Sequence, residues 1–151
     1  MAAKRKRNLR GSALATVDEQ GRLKIPTMFK DILVQSFGVN FFVTSLTGEN
    51  VFVYPLTVWE ALEERLKKTA SLNTSKRRYL NAVNYYGMEV NMDKQGRILI
   101  PATLRDSATI LGELRVLGAT DHLEVWSEER FKKQALGLTE QDLSQLADLG
   151  I

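Results

Sequence analysis

The ten residues from Val17 to Pro26, VDEQGRLKIP, return seventy-five positions later as MDKQGRILIP, from Met92 to Pro101. Asp18, Gln20, Gly21, Arg22, Ile25 and Pro26 are matched by Asp93, Gln95, Gly96, Arg97, Ile100 and Pro101, and Val17 and Leu23 are replaced conservatively by Met92 and Ile98. The correspondence continues past the proline, where Phe29-Lys30-Asp31 is answered by Leu104-Arg105-Asp106: apolar, basic, acidic in both places. Further on, VFVYPLTVWEAL from Val51 and LEVWSEERF from Leu123 each end an apolar strand in an aromatic just before a helix. An ordered series of matches at a nearly constant offset marks an internal duplication. The fold must therefore be one that two copies of the same unit can build, within a length of 151 residues that suits one ordinary domain or two small halves sharing a core.

Each copy opens with a hairpin signal. A short alternating run ends at the aspartate, a four-residue turn closes on glycine, and a second alternating run begins at the arginine. Glycine in that place suits a positive φ, as in a type I turn closed by a bulge. Along the second run Leu23 and Ile25 share one face, Arg22 and Lys24 the other. Pro26 and Pro101 end strand pairing because proline supplies no ladder donor, and short helices are expected to follow, ending near Gly38 and Gly112.

The stretch between the copies is the most helical. Thr57 and Glu60 are spaced as a capping box, Glu63 with Lys67 and Glu64 with Lys68 are helix-supporting pairs, and Leu62 and Leu66 mark a buried side. After a break at SLNTS, Tyr79, Val83 and Tyr86 recur at helical spacing up to Gly87, with Lys76, Arg77 and Arg78 near the start. In the tail, Ser127 can cap a helix from Glu128, and Thr139 with Asp142 a last one. The organisation expected is a basic arm over residues 1–9, a first repeat with its helix over 10–72, a linking helix over 73–87, a second repeat over 88–136 and a helical tail over 137–151.

Composition excludes several classes of function. Cysteine is absent, so there are no disulfides, thiolate metal sites or cysteine nucleophiles. No apolar run is long enough to span a bilayer, and no signal-peptide core follows the basic N-terminus; the expectation is a soluble, cytoplasmic protein. The net charge of +3 is unevenly distributed, because Lys4, Arg5, Lys6, Arg7 and Arg10 leave a body of 16 basic against 18 acidic residues. Such an arm is either a solubilising tail or a phosphate contact. There is no phosphate-cradling glycine loop, no nucleophile elbow and no paired-histidine spacing; His122, the one histidine, lies beside Asp121 in a turn and reads as an ordinary turn residue. No enzyme, cofactor, metal or small-molecule ligand is indicated.

What stands out chemically is an aspartate and an arginine four residues apart in each turn. A carboxylate pair sharing a proton, Asp18 with Asp93, is disfavoured because each has its own arginine, which favours the charged form. The turn can bring aspartate and arginine into a charge-assisted hydrogen bond. Two readings are then open: the bond only staples a tight turn, or it orients a guanidinium at a rigid tip, where a planar fork suits phosphates or the O6/N7 edge of guanine.

The paired Asp-x-x-Gly-Arg motifs, Asp18/Gly21/Arg22 and Asp93/Gly96/Arg97, in the settings RGSALATVDEQGRLKIP, VFVYPLTVWEALEERL, MDKQGRILIPATLRD and DHLEVWSEERF, closely resemble the MraZ family of bacterial transcriptional regulators, from about Arg10 to Phe131. The resemblance implies an α+β fold: an internally duplicated, swapped-hairpin, AbrB-like β-barrel with short flanking helices, both units held in one chain. It implies a ring-shaped homo-oligomer, an octamer or larger, associated with the nucleoid and binding double-stranded DNA at short direct repeats upstream of the division and cell-wall gene cluster that contains the regulator's own gene. The family's DNA contacts centre on the motif arginines, so Arg22 and Arg97 carry over by position. Lys24 is the expected phosphate contact beside them, Asp18 and Asp93 would set arginine geometry, and Gly21 and Gly96 would permit the turns. Two departures stand: Lys24 is answered by Leu99, so the two hairpins are unequal, and the basic segment Lys4 to Arg7 exceeds the usual family start. The alternative function is an oligomeric protein-interaction scaffold whose motif arginines only brace turns.

Overall fold

Leu23 and Ile25 alternate with Arg22 and Lys24, and the chain folds so that the first two are fully buried while the cations stay at the surface. The same division holds for Ile98 and Ile100 against Arg97 and Leu99. This period-two burial sets both runs as strands with one face on a core. In the computed structural model, which describes residues 7–151, the elements are β1 (Ser12–Ala15), β2 (Arg22–Lys24), α1 (Thr27–Ser36), β3 (Asn40–Thr44), β4 (Val51–Pro55), α2 (Leu56–Lys67), α3 (Thr74–Tyr86), β5 (Met88–Asn91), β6 (Arg97–Leu99), α4 (Ala102–Ser107), β7 (Leu114–Gly118), β8 (Leu123–Ser127), α5 (Glu128–Gln134) and α6 (Glu140–Asp148). Of the basic arm, residues 1–6 lie outside the described residues. Its far end is anchored: Leu9 is buried and exchanges backbone hydrogen bonds with Thr120.

The duplication is visible in the order of strands, β1-β7-β8-β4-β3-β5, which reads the same from either end once the second copy is mapped onto the first. All pairings are antiparallel. The hairpin arms are exchanged: β1 of the first copy pairs with β7 of the second, and β5 of the second pairs with β3 of the first. The local hairpin expected from each turn is reduced, in the first copy, to the isolated bridge between Val17 and Leu23. The second arms, β2 and β6, pair with each other as a separate two-stranded ribbon, with Arg22 opposite Leu99 and Lys24 opposite Arg97. The large sheet is not closed; β1 and β5 are its free ends, and the ribbon supplies the facing wall of the core. The swapped-hairpin arrangement is thus present as an open barrel of six strands plus two.

One core joins both copies. Leu23, Phe29, Leu33, Phe41, Val43 and Val53 from the first meet Ile98, Ile100, Leu104, Leu114, Val116, Leu123 and Val125 from the second, all essentially inaccessible to solvent. Burying a side chain of this size contributes about 1.5–3 kcal/mol, and here neither copy can keep that contribution alone.

Several helix signals act as expected and others do not. Ser127 accepts from the backbone N–H of Arg130, and Thr139 with Asp142 forms a reciprocal capping box. The box expected from Thr57 and Glu60 is not formed, because the helix is capped two residues earlier, at Pro55, which places Thr57 inside the first turn. Lys67 pairs with Glu64, one turn away, in place of Glu63. Leu62 and Leu66 are half-buried, and the anchoring residue of α2 is Trp59, stacked on Phe42 at 4.6 Å. The second short helix stops at Ser107, well before Gly112, since Thr109 takes a left-handed φ of 54° and Ile110 N–H closes onto the Arg105 carbonyl. Where the first copy has Phe42 under Trp59, the second has Arg115, which donates to both carboxylate oxygens of Glu128 at 2.8 Å. That pair holds the Glu128 carboxyl down at about 2. Packing in α2 and α5 has therefore diverged after duplication, while the turns have not.

Candidate nucleic-acid interface

Both turns are built by the same set of bonds. Asp18 N–H donates to the Arg22 carbonyl and Gly21 N–H to the Asp18 carbonyl, each at 3.0 Å; Asp93 repeats this with Arg97 and Gly96 at 2.9 and 3.0 Å. The Asp18 carboxylate then accepts from the backbone of Gln20 and Arg22 through Oδ1, and from Arg22 Nε through Oδ2 at 2.8 Å. Asp93 does the same with Gln95, Arg97 and Arg97 Nε, all at 2.9 Å. An Asx-type turn of this kind uses the short aspartate side chain as a surrogate backbone acceptor. Backbone hydrogen bonds from Arg22 and Arg97, opposed by partial desolvation and helped by the arginine side chains, hold both carboxyls below their ordinary value. Their contribution to stability is accordingly complete above the usual aspartate range and lost as pH falls through the lowered value.

The two turns are one surface. Ile25 N–H donates to the Gly96 carbonyl at 2.9 Å, Ile100 N–H donates to the Gly21 carbonyl at 3.0 Å, and Arg97 Nη1 reaches across to Asp18 Oδ2 at 3.5 Å. Among the described residues no matching bond runs from Arg22 to Asp93, so the symmetry is broken at this point. The outer face of the ribbon thus carries Arg22, Lys24 and Arg97 with Leu99, and Lys24 lies directly opposite Arg97. Like charges in directly opposed positions weaken a sheet pair. Nε of each arginine is spent on its own aspartate, which fixes the plane of the fork and leaves terminal nitrogens of Arg22 for an outside acceptor. The side chains of Arg22 and Arg97 retain 32% and 26% of their exposure, enough to be touched and too little to wander.

Two further cations stand on this surface, and neither was singled out by the motif. Gly21 has φ 83° and Gly96 φ 77°. A Cβ on Gly21 would collide with the guanidinium of Arg105, and one on Gly96 would lie 2.9 Å from Cδ and Cε of Lys30. The turn of each copy is therefore covered by the basic residue on the short helix of the other. Lys30 and Arg105 are the two middle members of the repeated apolar-basic-acidic triplet, so the signal was in the sequence; its proximity to the turns was not. Gly21→Ala and Gly96→Ala are each expected to cost about 1–2 kcal/mol through the left-handed conformation alone, visible as a lower urea midpoint with an unchanged slope.

His122 lies elsewhere, hydrogen-bonded to Asp121 at 2.8 Å and stacked on Tyr54 at 4.4 Å. Among the described residues no group of three or more histidine, aspartate or glutamate side chains is placed to hold a metal ion, and no helix is long and apolar enough to cross a membrane.

Comparison with known proteins matches this architecture copy by copy. The family model described as "MraZ protein, putative antitoxin-like" matches residues 9–82 and 87–149. The chain is 41% identical over 144 residues to "Transcriptional regulator MraZ" of Acidobacterium capsulatum, covering 94% of this chain and 99% of that protein. It is 40% identical over 145 residues to the protein of the same name from Koribacter versatilis, with the same coverage. At greater distance, the Serratia proteamaculans protein of that name is 32% identical over 126 residues, covering 83% of each chain.

Proposed function

The chain belongs to the MraZ family, and from that membership we propose that it is a transcriptional regulator binding double-stranded DNA through the joined Asp-x-x-Gly-Arg turns. The observation that carries the reading is the pair of oriented guanidiniums, Arg22 and Arg97, on a ribbon that also presents Lys24. Arg22 and Arg97 read base edges or clamp phosphates, Lys24 contacts a phosphate, Asp18 and Asp93 hold the forks in plane, and Gly21 and Gly96 allow the chain to turn. Because the two turns abut, one chain offers one composite head with two arginines and not two independent heads.

A head of this size buries little surface, so useful affinity comes from several heads on one homo-oligomeric ring meeting direct repeats about one helical turn apart. Support for assembly comes from α6 and the segments on either side of it: Leu136, Leu138, Leu143, Leu149 and Ile151 are all more than half exposed, and α6 has no buried residue. A nine-residue helix in water is marginal without a face to pack on. We read residues 10–72 and 88–136 as the two repeats, 73–87 as their link and 137–151 as the tail available to a neighbouring copy. The targets are repeats upstream of the protein's own gene, in the nucleoid, and the activity is binding, not catalysis.

The test is fluorescence anisotropy with DNA from upstream of the gene and with unrelated DNA of equal length, over a salt series, with oligomer size followed by light scattering. Expected is tighter binding to the upstream fragment, an assembled species, and a steep linear fall of log affinity with log salt, whose slope reports the phosphates neutralised. A flat response from low to moderate salt removes the proposal.

A further inference from the structure

We infer that Lys30 and Arg105 are phosphate-contacting residues of the same DNA surface, each flanking the turn of the opposite repeat, so that neither turn is a complete DNA-binding unit without the other copy. The inference rests on the reading of the joined turns as the DNA interface, and it adds two residues and a cross-repeat construction to it.

The first ground is position. Arg105 on α4 covers Gly21, and the stem of Lys30 on α1 covers Gly96, so both cations stand beside the turns that carry Arg22 and Arg97. A second ground is the kind of match between copies. Aligned at the common offset, one copy has lysine and the other arginine, so the duplication has kept length and positive charge but not the planar fork. Recognition of a base edge or a bidentate acceptor needs the fork; a phosphate accepts either cation. Third, neither cationic group has a protein acceptor among the described residues. No hydrogen bond or ion pair joins Lys30 Nζ or the Arg105 guanidinium to a protein acceptor among the described residues, although Asp31 and Asp106 follow them directly in sequence, and Arg105 Nε is buried without a partner. Adjacent helical residues point apart, so those carboxylates do not serve them. By contrast Arg115, Arg130, Lys132 and Lys133 are all tied to protein oxygens.

The electrostatic consequence follows. Arg22, Lys24, Lys30, Arg97 and Arg105 collect on one face, where the nearby Asp18 and Asp93 are already engaged by backbone N–H groups and Nε atoms. Such a concentration of one sign opposes folding by self-repulsion and attracts a polyanion. Within that face, the inner arginines and the outer cations divide the work: the forks are fixed by aspartate, and Lys30 and Arg105 widen the contact towards the backbone on either side.

The experiment keeps the packing stems and removes the charges. Lys30→Met with Arg105→Met, and each change alone, are compared with wild type in the anisotropy salt series, on upstream and on unrelated DNA, with Lys133→Met as a distant control and light scattering to confirm unchanged assembly. The expected result is a salt slope shallower by about 0.9 for each phosphate no longer neutralised, about half as much in the single variants, with affinity reduced by the same factor on both DNAs. Lys30→Arg with Arg105→Lys should retain the wild-type slope. A Met pair with the wild-type slope overturns the inference whether or not affinity falls, since a fall without a slope change reports packing alone. Failure of wild type to bind either DNA is a different outcome: it removes the functional proposal before any variant is made.

Discussion

Arg22→Ala combined with Arg97→Ala should abolish measurable binding to the upstream DNA while leaving the oligomer and its circular dichroism unchanged. Each good bidentate arginine contact to a base is worth about 1–3 kcal/mol of discrimination, so removing two per chain weakens each composite head by about thirtyfold or more. On the proposed ring, with several such heads, the effects would multiply. Assembly should survive because neither guanidinium is needed to close its turn: Asp18 keeps its bonds from the backbone of Gln20 and Arg22, and Asp93 those from Gln95 and Arg97. The single variants should differ. Arg97 holds its own aspartate and also touches Asp18, whereas Arg22 holds only Asp18, so Arg97→Ala disturbs both turns and Arg22→Ala one. The scaffold alternative predicts the reverse pattern, in which the double variant loses assembly or stability and wild type has no DNA affinity to lose. Anisotropy and light scattering on one set of samples separate the two.

Phe29→Ala in the first copy and Leu104→Ala in the second should each destabilise the entire chain. Both side chains are completely buried in the shared core. Truncation of a buried phenylalanine costs about 3–5 kcal/mol and of a buried leucine about 2–5 kcal/mol. The prediction with most structural content is the cooperativity. Trp59 belongs to the first copy and Trp126 to the second, so single-tryptophan variants report the copies separately. With β1 held by β7 and β5 by β3, both probes should shift to lower urea together in either core variant. Independent transitions, with only the damaged copy moving, would contradict the exchange of strands.

The turns were the most legible part of the sequence, because everything that makes them is local. Aspartate, the backbone N–H groups that donate to it and the glycine with positive φ lie within five residues, and the arginine that closes the set is four residues from the aspartate. The caps at Ser127 and Thr139 were legible for the same reason. Thr57 misled because its spacing to Glu60 suits a box, while Pro55, with φ −53°, caps the helix two residues earlier. The equality of basic residues in Lys30 and Arg105 was visible too, but its meaning lay in which glycine each one covers.

The duplication, the twin turns with their aspartate and arginine, and the alternation that buries Leu23, Ile25, Ile98 and Ile100 are written in the order of residues, and with them the kind of surface the ribbon presents. Strand pairing, the bonding of the two turns into one surface, the crossing of Arg105 and Lys30 to the opposite turn and the uncovered leucines of the tail come from the packing of the whole chain. The physical reason is that local bonds are specified by neighbours a few residues away, whereas a strand's partner is specified by the burial of a whole face. Two copies with the same alternation offer the same face to each other as to themselves, and the choice between them falls to the shared core.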